Sequence, residues 1–215
     1  MTFDEQRFRM VETQLKARGL IDERLLAAFG KVPRHLFVPK EVRQDAYVDH
    51  PLPIGAGQTI SQPYIVALMI DCLCLQGHER VLEIGSGSGY QTALLAELAL
   101  EVYSIERVPE LLHAVRERLL TLGCHNVHLA TGNGSLGWPD HAPFDAILVS
   151  AAAPRVPAPL VAQLAEGGRM AVPIGTPQAQ MLVQVEKRRG ALHQKDIASC
   201  VFVPLIGAHG WRVDE

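Results

Sequence analysis

An α/β fold around a mostly parallel sheet is predicted by three observations. Apolar strand-like runs alternate with helix-forming segments, a glycine-rich turn joins one such strand to a helix, and an acid closes the strand that follows. The turn is Gly85-Ser86-Gly87-Ser88-Gly89. Before it, Arg80 leads the apolar run Val81, Leu82 and Ile84. After it, Tyr90 to Leu98 is rich in good helix formers, among them Ala93, Leu94, Ala96, Glu97 and Leu98. A second strand, Val102-Tyr103-Ser104-Ile105, ends in Glu106 about 20 residues downstream, where a carboxylate accepts hydrogen bonds from ribose hydroxyls. Strand, glycine turn, helix and acid-tipped strand make the start of a nucleotide-binding βαβ unit.

The other elements follow in order. Thr2 and Glu5 form a capping box that opens a helix running to Arg18 and stopped by Gly19, with Phe8, Val11 and Leu15 as its core stripe. Asp22 caps a second helix, with Leu25, Leu26 and Phe29 inward and Gly30 at its end. Val32 to Pro39 is an apolar extended segment between two prolines, in which His35 is read as structural rather than catalytic. Pro51 to Pro63 is a long loop with a polar centre, Gly57-Gln58-Thr59-Ile60-Ser61-Gln62, suited to a polar, backbone-like ligand. A buried helix carrying Tyr64, Ile65, Val66, Leu68 and Met69 comes next. Beyond Glu106, Pro109 starts a helix with Leu111, Leu112, Val115, Leu119 and Leu122 inward, ending at Gly123. Strands follow at 126–130, 146–149 and 170–174, with a helix from about Pro159 to Leu164. Two further strands, Met181 to Glu186 and Ile197 to Val203, make an antiparallel finish around Gly190, and Lys187-Arg188-Arg189 is read as a solvated hairpin turn. In such sheets ligands bind at the strand carboxyl ends, where Gly85 to Gly89, Glu106, Asn133 and Ser150 all fall.

At 215 residues the chain is expected to form one domain, with 1–78 supplying N-terminal helices and a substrate loop and 79–215 the sheet core and C-terminal strands. Lys plus Arg is 20 against 23 for Asp plus Glu, so no nucleic-acid partner is expected. No apolar run is long enough to span a bilayer, and the acidic, amphipathic N-terminus is unlike a signal peptide, which points to the cytoplasm. The four cysteines lack C-x-x-C spacing and read as free, mostly buried thiols. The nine histidines form no H-x-x-x-H pair, so no metal site is expected.

The spacing of the turn selects among nucleotides. A dinucleotide site needs G-x-G-x-x-G, with the pyrophosphate on the helix N-terminus. Here the third glycine, Gly89, comes one place early. Glu83, two residues before the first glycine, suits a ligand carrying an ammonium and a sulfonium and opposes a pyrophosphate. Glu-x-Gly-x-Gly-x-Gly resembles the first motif of class I S-adenosylmethionine-dependent methyltransferases, and S-adenosylmethionine is favoured over NAD.

Nearly the whole chain resembles the protein-L-isoaspartate (D-aspartate) O-methyltransferase family. The likeness runs through Met10-Val-Glu-Thr-Gln-Leu15, Val32-Pro-Arg-His-Leu-Phe-Val-Pro39, Pro51-Leu-Pro-Ile-Gly55 and Gly57-Gln-Thr-Ile-Ser-Gln-Pro-Tyr64. It continues through Val81 to Gln91, Val102 to Glu106, Gly137-Trp-Pro139, Ala142 to Ile147, Gly167-Gly-Arg169 and Phe202-Val-Pro-Leu205. The resemblance implies a Rossmann-like class I fold of seven strands with one antiparallel strand at the C-terminal end, preceded by an N-terminal helical extension. It implies S-adenosyl-L-methionine as cofactor and damaged proteins and peptides containing isoaspartyl residues as partners; a monomer is expected. Residue by residue, it implies that Ser61 orients the substrate carboxylate as the catalytic contact, that Thr59 and Ile60 form the same wall, and that Val203 flanks the substrate backbone. Gly85, Ser86, Gly87, Ser88 and Gly89 would hold the cofactor's methionine and ribose and Glu106 its ribose hydroxyls, with Glu83, Asn133, Gly134 and Ser150 completing the site. One departure stands out: Gly132-Asn133-Gly134 replaces the family's Gly-Asp-Gly, keeping an acceptor for the adenine amino group but losing the charge. A methyltransferase of another carboxylate, or a non-catalytic homologue poor in cofactor affinity, are the alternatives.

Overall fold

The structure is a computed structural model and describes residues 1–212; residues 213–215, the end of the expected 79–215 unit, lie outside it. Thr2 Oγ1 accepts from the Glu5 N–H at 3.2 Å and Glu5 Oε2 from the Thr2 N–H at 2.7 Å, the predicted capping box, which opens helix α1 (Phe3–Met10). The helix then widens to a π turn over Val11–Leu15, tightens to a 3₁₀ turn over Lys16–Arg18 and stops at Gly19, whose φ is 91°. The extra residue in the wide turn places Leu15 about 100° away from where a regular 3.6-residue repeat would align it with Phe8. Met10, Val11 and Leu15 are therefore buried, whereas Phe8, expected in the same stripe, is 68% exposed. Asp22 caps helix α2 (Glu23–Lys31) by accepting from Arg24 and Leu25 N–H groups. That helix runs through Gly30 instead of ending there; Val32, held extended by the following Pro33, closes it.

Arg34–Phe37 is a 3₁₀ turn, not the expected extended segment. His35 within it stacks on Phe3 at 4.1 Å and bonds the Tyr47 hydroxyl at 2.8 Å, a structural role as anticipated. The region predicted as a long loop is an antiparallel hairpin, β1 (Leu52–Gly55) with β2 (Gln58–Ile60). Its two-residue turn, Ala56-Gly57, has φ of 50° and 69°, the left-handed pair that matches hairpin twist. Leu52 pairs with Ile60 and both are buried, so one side of the hairpin belongs to the core. Helix α3 (Pro63–Asp71) starts directly after it, with proline in the first turn.

The sheet begins with β3 (Arg80–Ile84), followed by α4 (Tyr90–Leu98), β4 (Glu101–Glu106), α5 (Pro109–Thr121), β5 (Val127–Thr131), β6 (Phe144–Val149), α6 (Ala158–Gln163), β7 (Leu164–Gly175), β8 (Gln180–Arg188) and β9 (Ala191–Cys200). The seven strands lie in the order β5-β4-β3-β6-β7-β8-β9. The first five are parallel, and β8 runs antiparallel to both its neighbours. This is the predicted mostly parallel sheet with its antiparallel element at the C-terminal end. The chain leaves β3 toward β4 and β5, then returns to the other side of β3 as β6. That reversal opens a crevice at the carboxyl ends of β3 and β6.

Strand alternation sends Val81 and Glu83 to the face covered by α4, and Leu82 and Ile84 to the face shared with Phe144 and Leu160. Arg189-Gly190 turns β8 into β9 with φ of 51° and 73°, but Lys187 is still in β8 and donates to the Leu164 carbonyl at 2.8 Å. β9 ends at Cys200, so Val203, expected within a strand, lies beyond it; its carbonyl accepts from the Ala152 N–H at 2.8 Å. The four cysteines are free, and Cys74 is exposed against expectation, while Cys72 is buried. No helix among the described residues is long and apolar enough to cross a membrane.

Candidate functional site

The glycine turn sits in the crevice. Gly85, Gly87 and Gly89 have φ of 92°, 53° and 86°, values that side chains disfavour, and the Gly89 N–H closes the turn on the Ser86 carbonyl at 2.8 Å. The third glycine serves packing: a Cβ on Gly89 would lie 2.9 Å from Val115 Cγ1 of α5. Glu106, at the tip of β4, fixes the turn from the opposite side. Its Oε2 accepts from the Gly87 N–H at 2.8 Å and its Oε1 from the Val108 N–H at 2.9 Å. Each oxygen keeps a second lone pair for a ligand.

Two expected ligand contacts are placed otherwise. Glu83 does not line the cavity. It shares the Val81 face of β3, so it is fully buried under α4, where its Oε2 accepts from Thr92 Oγ1 at 2.6 Å and Ser104 Oγ at 2.5 Å. Its Oε1 is buried with no hydrogen-bond partner, and burial pushes its pKa up to about 7, outweighing the two hydroxyls that pull it down. With its hydrogen committed to Glu83, Ser104 accepts from Ser86 Oγ at 2.6 Å, and Ser86 does lie on the cavity wall. The acid thus reaches the site through two serines. Asn133 is likewise off the wall. Its Oδ1 accepts from the Ser135 N–H at 3.1 Å and the Ser135 hydroxyl at 2.8 Å, capping the short turn Gly134–Leu136. Its neighbour Gly134 faces the cavity.

Two cavities meet above the turn. The larger, about 240 Å³, is walled by Gly85, Ser86, Gly87, Ser88, Glu106 and Gly134, with apolar patches from Ile84, Ile105, Val108, Leu205 and Ile206. Bare turn backbone, one carboxylate and an apolar slot fit the amino acid, ribose and base of S-adenosylmethionine. The smaller, about 160 Å³, lies between Pro51, Gln62 and Ile65 on one side and Ser199 to Val203 on the other. Thr59, Ser61, Ser150 and Val203 border both cavities, and Ile60 borders the larger.

The fold explains this convergence. The β1-β2 hairpin carries Thr59 to Ser61 over the turn, with Ile54 Cδ1 3.5 Å from the place a Cβ on Gly87 would take. Ala152 grips the C-terminal segment by accepting from the Leu205 N–H and donating to the Val203 carbonyl, both at 2.8 Å. Sequence reasoning missed Tyr90 and Gln91, which line the larger cavity directly after the last glycine of the turn.

Comparison with known proteins agrees along the whole chain. The protein-L-isoaspartate(D-aspartate) O-methyltransferase family matches residues 6–210. A protein-L-isoaspartate O-methyltransferase of Syntrophobacter fumaroxidans is 55% identical over 212 residues, covering 99% of this chain and 99% of that protein. One from Trichlorobacter lovleyi is 53% identical, covering 100% of both. A solved protein-L-isoaspartate O-methyltransferase superposes with a TM-score of 0.86 at 30% identity, covering 95% of this chain and 67% of that one. A putative one from Plasmodium falciparum, in complex with S-adenosyl-L-homocysteine, superposes with a TM-score of 0.79 at 28% identity, covering 92% of this chain and 96% of that one. With this sheet, this turn and a match over nearly its full length, the chain belongs to the protein-L-isoaspartate(D-aspartate) O-methyltransferase family.

Proposed function

We propose that the larger cavity holds S-adenosylmethionine, the smaller one the isoaspartyl segment of a damaged protein, and that the methyl group passes between them at the wall of Thr59, Ser61, Ser150 and Val203. The observation that carries this is that two adjoining cavities of different size share those four residues. The enzyme is an S-adenosylmethionine-dependent methyltransferase of the free α-carboxylate of an isoaspartyl residue, or of the side-chain carboxylate of a D-aspartyl one. Bound S-adenosylmethionine supplies a methyl group on a positively charged sulfonium, open to in-line displacement by that carboxylate. A carboxylate is already ionised at neutral pH, so the protein needs no general base.

What the chain contributes is position. Ser61 donates its hydroxyl to one carboxylate oxygen and leaves the other free to react, with Thr59 and Ile60 shaping the wall and Val203 flanking the peptide. A well-oriented encounter of this kind supplies most of the rate. On the cofactor side, Glu106 accepts from the ribose hydroxyls with its unused lone pairs, and the backbone of Gly85 to Gly89 carries the amino-acid end beside Ser86 and Ser88. Gly134 and Ser150 border the base and the transfer point. The methyl ester leaves the site, and attack of the adjacent backbone amide nitrogen on the ester carbonyl expels methanol and closes a succinimide, whose hydrolysis partly restores aspartate. The free thiols fit a reducing cytoplasm.

The test is methyl transfer from labelled cofactor to paired peptides that differ only in an isoaspartyl or aspartyl linkage. Methylation of the isoaspartyl peptide alone is expected. Equal labelling of both, or of neither while a small carboxylic acid is labelled, would overturn the assignment.

A further inference from the structure

Arg34 heads the residues with no solvent exposure when these are ranked by volume. Its guanidinium ties together three parts of the chain. Nε donates to the Ala46 carbonyl at 2.7 Å, Nη2 donates to the Ser61 carbonyl at 2.7 Å, and Cζ stands 4.9 Å over the ring of Tyr90. Nη1 is buried without a partner. Among the described residues no ion pair forms on Arg34. Burial pulls its pKa down to about 10, which still leaves it charged at neutral pH.

A lone buried cation is expensive to desolvate, and an apolar chain of similar volume fills such a space more stably. Packing alone therefore does not account for it. Two of its three neighbours are in the site: Ser61 borders both cavities, and Tyr90 lines the larger, while Ala46 lies outside both. Asp49 acts on Arg34 only at longer range, so no anion among the described residues pairs with it directly, and a carboxylate substrate at that junction would bring one closer.

We propose that Arg34 is a positioning residue for the transfer, clamping the Ser61 carbonyl so that the hydroxyl faces the carboxylate and lending the junction a positive field that favours an anion there. This rests on the placement of the isoaspartyl segment in the smaller cavity. It explains a directional property of the site. Methylation turns the carboxylate into a neutral ester, so the field that holds the substrate has no hold on the product.

The experiment uses Arg34→Met, which removes the charge at similar length, and Arg34→Lys, which keeps it without the planar fork. Calorimetry measures binding of an isoaspartyl peptide, and of the same peptide with its α-carboxylate replaced by a neutral carboxamide, to enzyme loaded with S-adenosylhomocysteine. Melting temperature and S-adenosylmethionine affinity are measured alongside. For Arg34→Met we expect the preference for carboxylate over carboxamide to drop by roughly tenfold, with S-adenosylmethionine affinity within about twofold of wild type. Arg34→Lys should keep most of the preference while lowering kcat. An unchanged preference in Arg34→Met overturns the proposal. So does a preference lost in Arg34→Lys, which also decides the matter if Arg34→Met does not fold. Failure of the wild type to methylate isoaspartyl peptides refutes the functional assignment; failure of these variants to differ from it refutes only the role of Arg34.

Discussion

Replacing Glu106 with glutamine separates the scaffold from the ligand contact. In the wild type both carboxylate oxygens are engaged by backbone, Gly87 N–H at 2.8 Å and Val108 N–H at 2.9 Å, in a side chain only 6% exposed. An amide has a single acceptor oxygen, so its NH₂ must face one of these N–H groups. Losing one hydrogen bond to a charged group is worth about 1.5–3 kcal/mol. At about 2–4 °C per kcal/mol for a chain of this size, the melting temperature should fall by roughly 3–12 °C. The same exchange removes one charge-assisted acceptor from the ribose, so cofactor affinity should weaken by about tenfold to a hundredfold. Titration calorimetry with both S-adenosylmethionine and S-adenosylhomocysteine checks the origin of the loss. A ribose contact predicts equal losses, because the two ligands share that sugar. A larger loss for the sulfonium ligand would mean that Glu106 acts through long-range charge. Unchanged affinity with a lowered melting temperature would leave it a brace for the turn and refute the ribose contact.

Ser61→Ala should lower turnover on an isoaspartyl peptide by roughly tenfold to a hundredfold, the value of one hydrogen bond to a charge, with S-adenosylmethionine affinity unchanged; full activity would reduce Ser61 to a turn residue. Glu83→Gln should change how stability depends on pH. The folded-state pKa of Glu83 is raised from 4.5 to about 7, so the folded protein binds the extra proton between those values, and Glu83 withdraws stability as pH rises through that window. The melting temperature of the glutamine variant should therefore gain on the wild type from pH 5 to pH 8, and parallel profiles would contradict the raised pKa. Gly89→Ala places a side chain at φ 86° with its Cβ 2.9 Å from Val115 Cγ1. It should destabilise by roughly 2–4 kcal/mol, combining left-handed strain with overpacking, as chemical denaturation would measure; pairing it with Val115→Ala should recover part of the loss.

The unit from β3 through β4 was legible in the sequence because each of its signals is local. Helix formers occupy Tyr90 to Leu98, glycines carry the turn, and the acid comes at the strand tip. The hairpin was not legible, since Pro51, Pro53, Gly55 and Gly57 read as loop chemistry, and the pairing of Leu52 with Ile60 appears only when the chain closes on itself. Phe8 failed for a different reason: a 3.6-residue repeat cannot anticipate a π turn. Glu83 and Asn133 were placed beside the site by their spacing and by the resemblance of the motifs that hold them. Spacing locates a backbone position but not the direction of its side chain, and here strand alternation and a local cap turned both away from the ligand cavity. Arg34 was hidden most completely, because its partners at Ala46 and Ser61 are brought together by tertiary structure.

With the isoaspartyl segment placed in the smaller cavity, as proposed above, the size of that cavity bears on which clients the enzyme can serve. At about 160 Å³, between the hairpin and the chain leaving β9, it admits a side chain and a short stretch of backbone. A damaged residue inside a helix or a paired strand of its own protein has no means of entering such a slot. The client must first come undone locally, and the fraction of time it spends undone scales the rate at which it is repaired. Rigid clients should then accumulate damage that the enzyme never reaches, while loosely held loops are surveyed continuously. Methylation rates across a set of damaged proteins should accordingly follow amide exchange at the damaged position.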